Sequence, residues 1–171
     1  KSLIPVFHRW IQTEAVSGLL IDVADYTHVA NGPKVLLVGH EGNYALDYRN
    51  DQPGLYYYRK QPSEGTLGDR LIGLSRILLE ASYLLETDDT FKPPIRFRGD
   101  QFEFVANDRS LTTSDENMVE ALRPVLITLL ERLYPTQPYE LSHHVNSKDR
   151  LTFTLRSTHD VSVETLLNRI S

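Results

Sequence analysis

The chain of 171 residues is long enough for one domain, and with 40% hydrophobic and 24% charged residues it has a globular rather than a disordered composition. Its net charge of −5 disfavours a nucleic-acid role, because such binding depends on Lys and Arg side chains that neutralise phosphates. It contains no cysteine, which excludes disulfides, thiolate zinc sites and cysteine nucleophiles and is compatible with a cytoplasmic location.

A short amphipathic helix is the first predicted element, around residues 5–13, where apolar side chains recur at helical spacing. We expect Trp10 to anchor this helix on a sheet. A mostly apolar strand from Leu19 to Tyr26 follows, and Asn31-Gly32-Pro33 is typical of a turn. The sequence therefore predicts a helix on a sheet whose first two strands are joined through residues 27–33.

The densest strand signal lies between residues 32 and 48 and predicts a central β-hairpin. An apolar run from Val35 to Val38 precedes His40 and Glu41, which stand between two glycines. With Glu41-Gly42 as the turn, the predicted register pairs His40 with Asn43, Gly39 with Tyr44, and Leu37 with Leu46. The Tyr44 ring would then lie over the bare Gly39.

A fourth strand is predicted from Leu55 to Lys60, after a loop from Arg49 to Gly54. It contains three successive tyrosines, Tyr56 to Tyr58. Because neighbouring residues of a strand point to opposite faces, these tyrosines must divide between the two faces of the sheet. One face would be core, and the other an aromatic surface that suits a protein partner or a subunit contact.

Two long helices carry the main apolar stripes of the chain. Thr66 followed by Asp69 resembles a capping box for the first helix, which runs to Leu85. A similar pair, Thr113 and Glu116, precedes the second helix, which runs to about residue 134. The sequence therefore predicts both the existence and the starting points of these helices.

The remaining elements are two hairpins and a terminal helix. The segment from 95 to 105 predicts a hairpin with Gly99-Asp100 as its turn. The segments Tyr139 to Val145 and Leu151 to Arg156 predict the last strand pair, and a short helix ends the chain.

This order of elements predicts a single α+β domain over residues 1–171. We expect a mainly antiparallel sheet of about eight strands in hairpins, covered by two long helices, with short N- and C-terminal helices. No segment is predicted to span a membrane, because even the most apolar helix carries several charged residues.

Five polar residues, Asp22, Asp25, His28, His40 and Glu41, resemble a ligand set for a divalent metal, but the predicted topology separates them. His28 and His40 would lie at opposite ends of the first strand pair, about 20 Å apart over six residues. The set therefore divides into two candidate sites, and we predict no bound metal or cofactor.

The first candidate site combines Asp25, His28, Asp47 and Arg49. The predicted hairpin register places these residues at neighbouring strand ends. This site could bind a small polar ligand, or perform acid–base work if His28 faced a carboxylate. We favour a structural role, in which an aspartate turn and a surface ion pair hold the loop in place, because ion-pair networks with a structural role resemble functional sites.

The second candidate site is the pair His40 and Glu41. A helical zinc motif needs a second histidine four positions after the first, and Tyr44 occupies that position. We therefore favour a role as turn residues over a role in catalysis.

No motif of a known catalytic class is present: the chain lacks Gly-x-Gly-x-x-Gly, the Walker sequence and the Gly-x-Ser-x-Gly elbow. The sequence favours a non-catalytic module that acts through a protein partner or a homo-oligomer. A small-molecule binder or enzyme at Asp25, His28, Asp47 and Arg49 is the alternative, and a divalent-metal hydrolase around His40 and Glu41 ranks below both.

Overall fold

The computed structural model describes residues 3–29, 33–49, 52–106, 116–145 and 150–171. The elements in chain order are α1 (Ile4–Thr13), β1 (Leu20–Asp25), β2 (Val35–Gly39), β3 (Gly42–Arg49), β4 (Gln52–Arg59), α2 (Leu67–Glu86), β5 (Gln101–Val105), α3 (Glu116–Leu133), β6 (Tyr139–Val145), β7 (Leu151–Ser157) and α4 (Val163–Ile170). The predicted α+β class with antiparallel sheets is confirmed.

The prediction of about eight strands in one sheet is wrong. The described residues contain a four-stranded sheet of order β1-β2-β3-β4 and a three-stranded sheet of order β5-β7-β6. All pairings are antiparallel. The helices differ from the predicted ones by a few residues at their ends.

Internal contacts divide the chain into two compact units. The first unit comprises Lys1–Gly65 and Gly73–Phe97, and the second comprises Thr66–Ile72 and Arg98–Ser171. Helix α2 contributes its N-terminal residues to the second unit and the rest to the first. A single domain over the whole chain stays a prediction.

Helix α1 packs on the four-stranded sheet of the first unit, as predicted. A proline stands in its first turn, where the missing N–H costs no helical hydrogen bond. The Trp10 ring is buried and meets the ring of Tyr44 on β3 edge-on, with centroids 6.3 Å apart. Residues of the C-terminal half of α2, including Ala81 and Leu85, belong to the same buried cluster.

The central hairpin forms, but its predicted register is wrong by two positions along β3. Leu37 pairs with Tyr44 and Val38 with Asn43, because His40 and Glu41 form the connection. A shift of two positions leaves every side chain on its predicted face. The tyrosine that lies over a glycine is therefore a different one: a Cβ on Gly42 would come 2.5 Å from the ring of Tyr57.

Strand β4 is longer than predicted and begins at Gln52, within the segment predicted as a loop. It pairs with β3 along its length, with Tyr57 opposite Tyr44 and Tyr56 opposite Ala45. The proline at position 53 is tolerated because β4 is an edge strand.

The predicted hairpin from Ile95 to Val105 is wrong. Strand β5 pairs with β7, with Phe104 opposite Phe153, and the segment before Gly99 is not a strand. The last predicted pair is confirmed as β6 and β7, with Leu141 opposite Leu155. The buried side chains of this sheet and of α3 and α4 form the interior of the second unit.

The capping box of α2 is confirmed. The backbone N–H of Thr66 donates to Asp69 Oδ2 at 2.9 Å, and the N–H of Asp69 donates to Thr66 Oγ1 at 3.2 Å. The predicted capping residue of α3, Thr113, lies outside the described residues. Within the described ranges no helix is long and apolar enough to cross a membrane.

Candidate functional site

The strand-end candidates Asp25 and Asp47 come from neighbouring parts of the sheet but face opposite sides of it. Asp25 pairs with Val35, and Val35 pairs with Leu46. Paired residues share a face, so Asp25 shares the face of Leu46, and the next residue, Asp47, faces the other way. The side chain of the fourth candidate, Arg49, lies outside the described part of the structure. The ligand-binding role of this set stays a prediction.

Asp25 makes a local turn contact. Its Oδ1 accepts a hydrogen bond from the Thr27 N–H at 2.9 Å. That bond, with smaller help from the charge of His28, holds the pKa of Asp25 below its ordinary value. The His28 side chain is exposed. An aspartate that bonds the N–H two residues on is ordinary turn chemistry.

Asp47 is the most unusual of the four, because its side chain is only 5% exposed. It lies on the central strand β3, opposite Gly54 of β4. Burying a carboxylate is unfavourable unless polar groups accompany it. The sequence identified Asp47 as a site candidate, but its burial depends on tertiary packing and could not be seen there.

The second candidate pair, His40 and Glu41, connects β2 to β3 and ties three segments together. Glu41 Oε2 accepts from the Leu19 N–H at 3.2 Å, and the Glu41 carbonyl accepts from Lys60 N at 2.8 Å. A hydrogen bond from its own backbone N–H is the main cause that holds the pKa of Glu41 below its ordinary value. The His40 side chain is exposed, and its backbone N–H bonds the Leu19 carbonyl.

This pair lies at the opposite end of the first two strands from His28, as predicted. Among the residues that the structure describes, no group of three or more His, Asp or Glu side chains could hold a metal ion. Near this end, a cavity of about 290 Å³ is lined by Ile11, Glu14 and residues 16–20. Its volume is at the lower limit of ligand pockets, which span about 300–1,000 Å³.

The tyrosine run of β4 divides between the two faces, as predicted. Tyr57 packs on Tyr44 on the core face, with ring centroids 4.9 Å apart, and burial raises its pKa. Tyr56 and Tyr58 stack on the opposite face, with centroids 6.2 Å apart and rings within 25° of parallel. Both are half-buried. We call Tyr56 and Tyr58 the tyrosine pair.

The two edges of the four-stranded sheet differ in their backbone chemistry. On β1, Asp22 Oδ1 accepts from the Val23 N–H at 2.8 Å, so an edge N–H is bonded by a side chain of its own strand. Such carboxylates protect an edge from strand addition. Sequence reasoning missed this role of Asp22, although an aspartate inside an apolar strand was its signal.

The pairing of β4 with β3 determines which backbone N–H groups of β4 point away from β3. The Lys60 N–H donates to the Glu41 carbonyl, so the backbone hydrogen-bonding groups of Lys60 point toward the β3 side. In antiparallel strands the direction of the backbone N–H and C=O groups alternates from one residue to the next. The N–H groups of Leu55, Tyr57 and Arg59 therefore point away from β3. No described strand pairs with that side of β4.

A cluster of polar groups in the second unit surrounds Gly99. Asp160 Oδ1 accepts from the Gly99 N–H at 2.7 Å, and the buried Tyr134 hydroxyl donates to the Gly99 carbonyl. Arg98 pairs with Asp100 and holds the pKa of that carboxyl below its ordinary value. These groups satisfy one another, which is the arrangement expected of a structural network.

Over the residues that the structure describes, the fold is α+β with two antiparallel sheets, and the tyrosine pair lies on β4, the edge strand of one of them. No family model matches the chain, and comparisons with curated proteins and with solved structures find no match.

Proposed function

We propose that this protein is a non-catalytic module that works through protein association and uses the outer side of β4, with the tyrosine pair, as its contact surface. The difference between the two sheet edges carries this proposal. On the β1 edge, Asp22 of the same strand bonds the Val23 N–H, whereas β4 directs a row of backbone N–H and C=O groups outward. A row of that kind is a template for another strand.

The tyrosine pair supports the same surface. Tyr and other aromatic residues are enriched at protein interfaces, because a large rigid ring buries area at low entropic cost while its hydroxyl stays hydrated. Tyr56 and Tyr58 stand side by side on one face of the edge strand. We also propose a cytoplasmic location, with which the cysteine-free composition is compatible.

The proposal predicts a mass above that of the 19.6 kDa monomer, rising with concentration, in size exclusion with light scattering. Tyr58→Lys should weaken the association at least tenfold, because a charge would have to lose its water in the contact. Tyr57 is unsuited to this test, since its ring packs on Tyr44 and a change there would disturb the fold.

The matched control lies on the other edge of the same sheet. Ile21, which is 55% exposed on β1, is changed to Lys and should leave the mass unchanged. A protein that stays monomeric at every concentration, or that responds equally to both substitutions, would overturn the proposal.

A further inference from the structure

We infer that the partner on β4 is a second copy of the same chain, paired antiparallel about a two-fold axis beside Tyr56, so that the two four-stranded sheets join into one. This inference rests on the proposed function and specifies its partner. It follows from the direction of the backbone groups, the position of Pro53 and the distribution of charge along the two edges.

The backbone directions restrict the register. Residues that point outward must face residues that point outward on the second copy. The outward set of β4 contains Leu55, Tyr57 and Arg59, together with Pro53, which has a carbonyl but no N–H. Pro53 stands opposite Tyr48, at a position where the antiparallel pattern needs no N–H toward β3.

One register uses every outward donor. With Tyr56 facing Tyr56, Leu55 faces Tyr57 of the second copy and the two exchange both of their hydrogen bonds. Arg59 then faces Pro53 of the second copy, whose carbonyl accepts the Arg59 N–H. The proline leaves one carbonyl without a donor, that of Arg59 at the last residue of the strand, and almost the whole of Gln52–Arg59 is paired.

The two registers on either side of this one form less favourable hydrogen bonds. If Leu55 faced Leu55, Pro53 would stand opposite Tyr57, and the carbonyl left without a donor would lie inside the paired segment rather than at its end. If Tyr57 faced Tyr57, Pro53 would stand opposite Gln61, whose N–H already bonds the Glu41 carbonyl. The overlap would also be shorter. Hydrogen bonding therefore selects the register centred on Tyr56.

Charge favours self-pairing at β4 and opposes it at β1. Strand β4 contains no acidic residue, and in this register its one basic side chain, Arg59, faces Pro53. Strand β1 instead contains two acidic residues, Asp22 and Asp25, and no basic one, so its self-pairing would concentrate like charge along the joined edge. The tyrosine pairs of both copies would share one face, where aromatic pairs across strands are favourable.

The size of this contact sets the conditions of the test. Seven paired residues span about 23 Å. An interface built on one strand pair and four tyrosines belongs to the small class, below about 1,200 Å² in total, which is typical of weak complexes. We therefore expect association that depends on concentration rather than a permanent dimer.

The absence of cysteine makes a sharp experiment available, because one introduced cysteine can pair only with its copy. Tyr56→Cys places two thiols at a non-hydrogen-bonded pair, where Cβ atoms are about 4.5–5.5 Å apart, close enough for a disulfide after a small adjustment. Under mild oxidation, Tyr56→Cys should yield a covalent dimer on non-reducing gels at least tenfold faster than Tyr58→Cys. The control is matched in residue type, strand and face, but its two thiols would be about 13 Å apart along the strand.

A second measurement needs no substitution and so avoids any effect on folding. Amide exchange of the unaltered protein should slow at Leu55, Tyr57 and Arg59 as concentration rises, while the Val23 amide, which is already bonded by Asp22, should not change. Equal cross-linking at positions 56 and 58, or exchange at β4 that ignores concentration, would overturn the inference.

The two failures are distinguishable. If the protein associates and Tyr58→Lys abolishes the association, but Tyr56→Cys cross-links no faster than Tyr58→Cys, the two-fold strand pairing is wrong and the association proposal stands. If the protein is monomeric at every concentration, both are wrong.

Discussion

Gly99 is held by its surroundings on every side. A Cβ at this position would come 1.8 Å from the Val161 carbonyl oxygen and 2.9 Å from Leu166 Cδ1. Its N–H bonds Asp160 and its carbonyl accepts the Tyr134 hydroxyl, so the backbone cannot shift away without breaking a buried hydrogen bond. The requirement for glycine here is one of space rather than of an unusual φ.

Gly99→Ala should therefore destabilise the protein by about 3 kcal/mol, the upper end of the cost of overpacking. Urea unfolding measures the change. The control is Gly73→Ala in α2, where a Cβ would meet nothing within 4 Å and a helical alanine should stabilise by up to about 1 kcal/mol. Similar midpoints for the two variants would show that the Gly99 site can relax.

The segment around Gly99 shows which features of the fold a local sequence pattern predicts and which it does not. The Gly99-Asp100 pair does form a turn, and the residues after it do form a strand. The partner of that strand is β7, some fifty residues further along the chain, and not the segment just before the turn. A turn signal is local, whereas the choice of partner depends on the packing of the whole unit.

The N-terminus of α2 illustrates an element whose limits are encoded locally. Thr66 and Asp69 are three residues apart, so their mutual hydrogen bonds depend on nothing distant. The connection between β2 and β3 is a contrasting case. Gly39-His40-Glu41-Gly42 allows the turn at either of two adjacent positions, so the sequence predicted the faces of the hairpin correctly but not its register.

The capping box predicts a defined pH dependence. Hydrogen bonds from the Thr66 hydroxyl and N–H hold the pKa of Asp69 below its ordinary value of 3.8. A carboxyl whose pKa is lower in the folded state contributes stability above its unfolded pKa and loses it as pH falls through the folded pKa. The difference in unfolding free energy between the unaltered protein and Asp69→Asn should therefore be constant from pH 7 to about 4 and shrink below it.

Thr66 supplies the control for this interpretation. Thr66→Ala should cost about 1 kcal/mol at pH 7, the usual effect of losing a helix N-cap, and Thr66→Ser should restore most of it. Denaturant unfolding at several pH values measures both effects. If the difference in unfolding free energy between the unaltered protein and Asp69→Asn stayed constant below about pH 4, the ionised carboxylate would have no role in the cap.

The two compact units share one helix, and this raises the question of whether they unfold together. The N-terminal part of α2 meets α3 of the second unit near Gly68, where a Cβ would lie 3.7 Å from Val125. Its later residues Ala81 and Leu85 lie in the core cluster of the first unit. Because a helix forms cooperatively, loss of either unit removes packing that supports the other.

We therefore expect one cooperative transition, as the prediction of a single domain requires. Trp10 is the only tryptophan of the chain and is buried in the first unit, so its fluorescence reports that unit, while far-UV ellipticity reports both. The two signals should share one midpoint in urea. Gly99→Ala, which strains only the second unit, should lower the Trp10 midpoint as much as the ellipticity midpoint. An ellipticity curve with an early step that leaves Trp10 unchanged would establish two independently folding domains, because α2 would then not transmit the loss of one unit to the other.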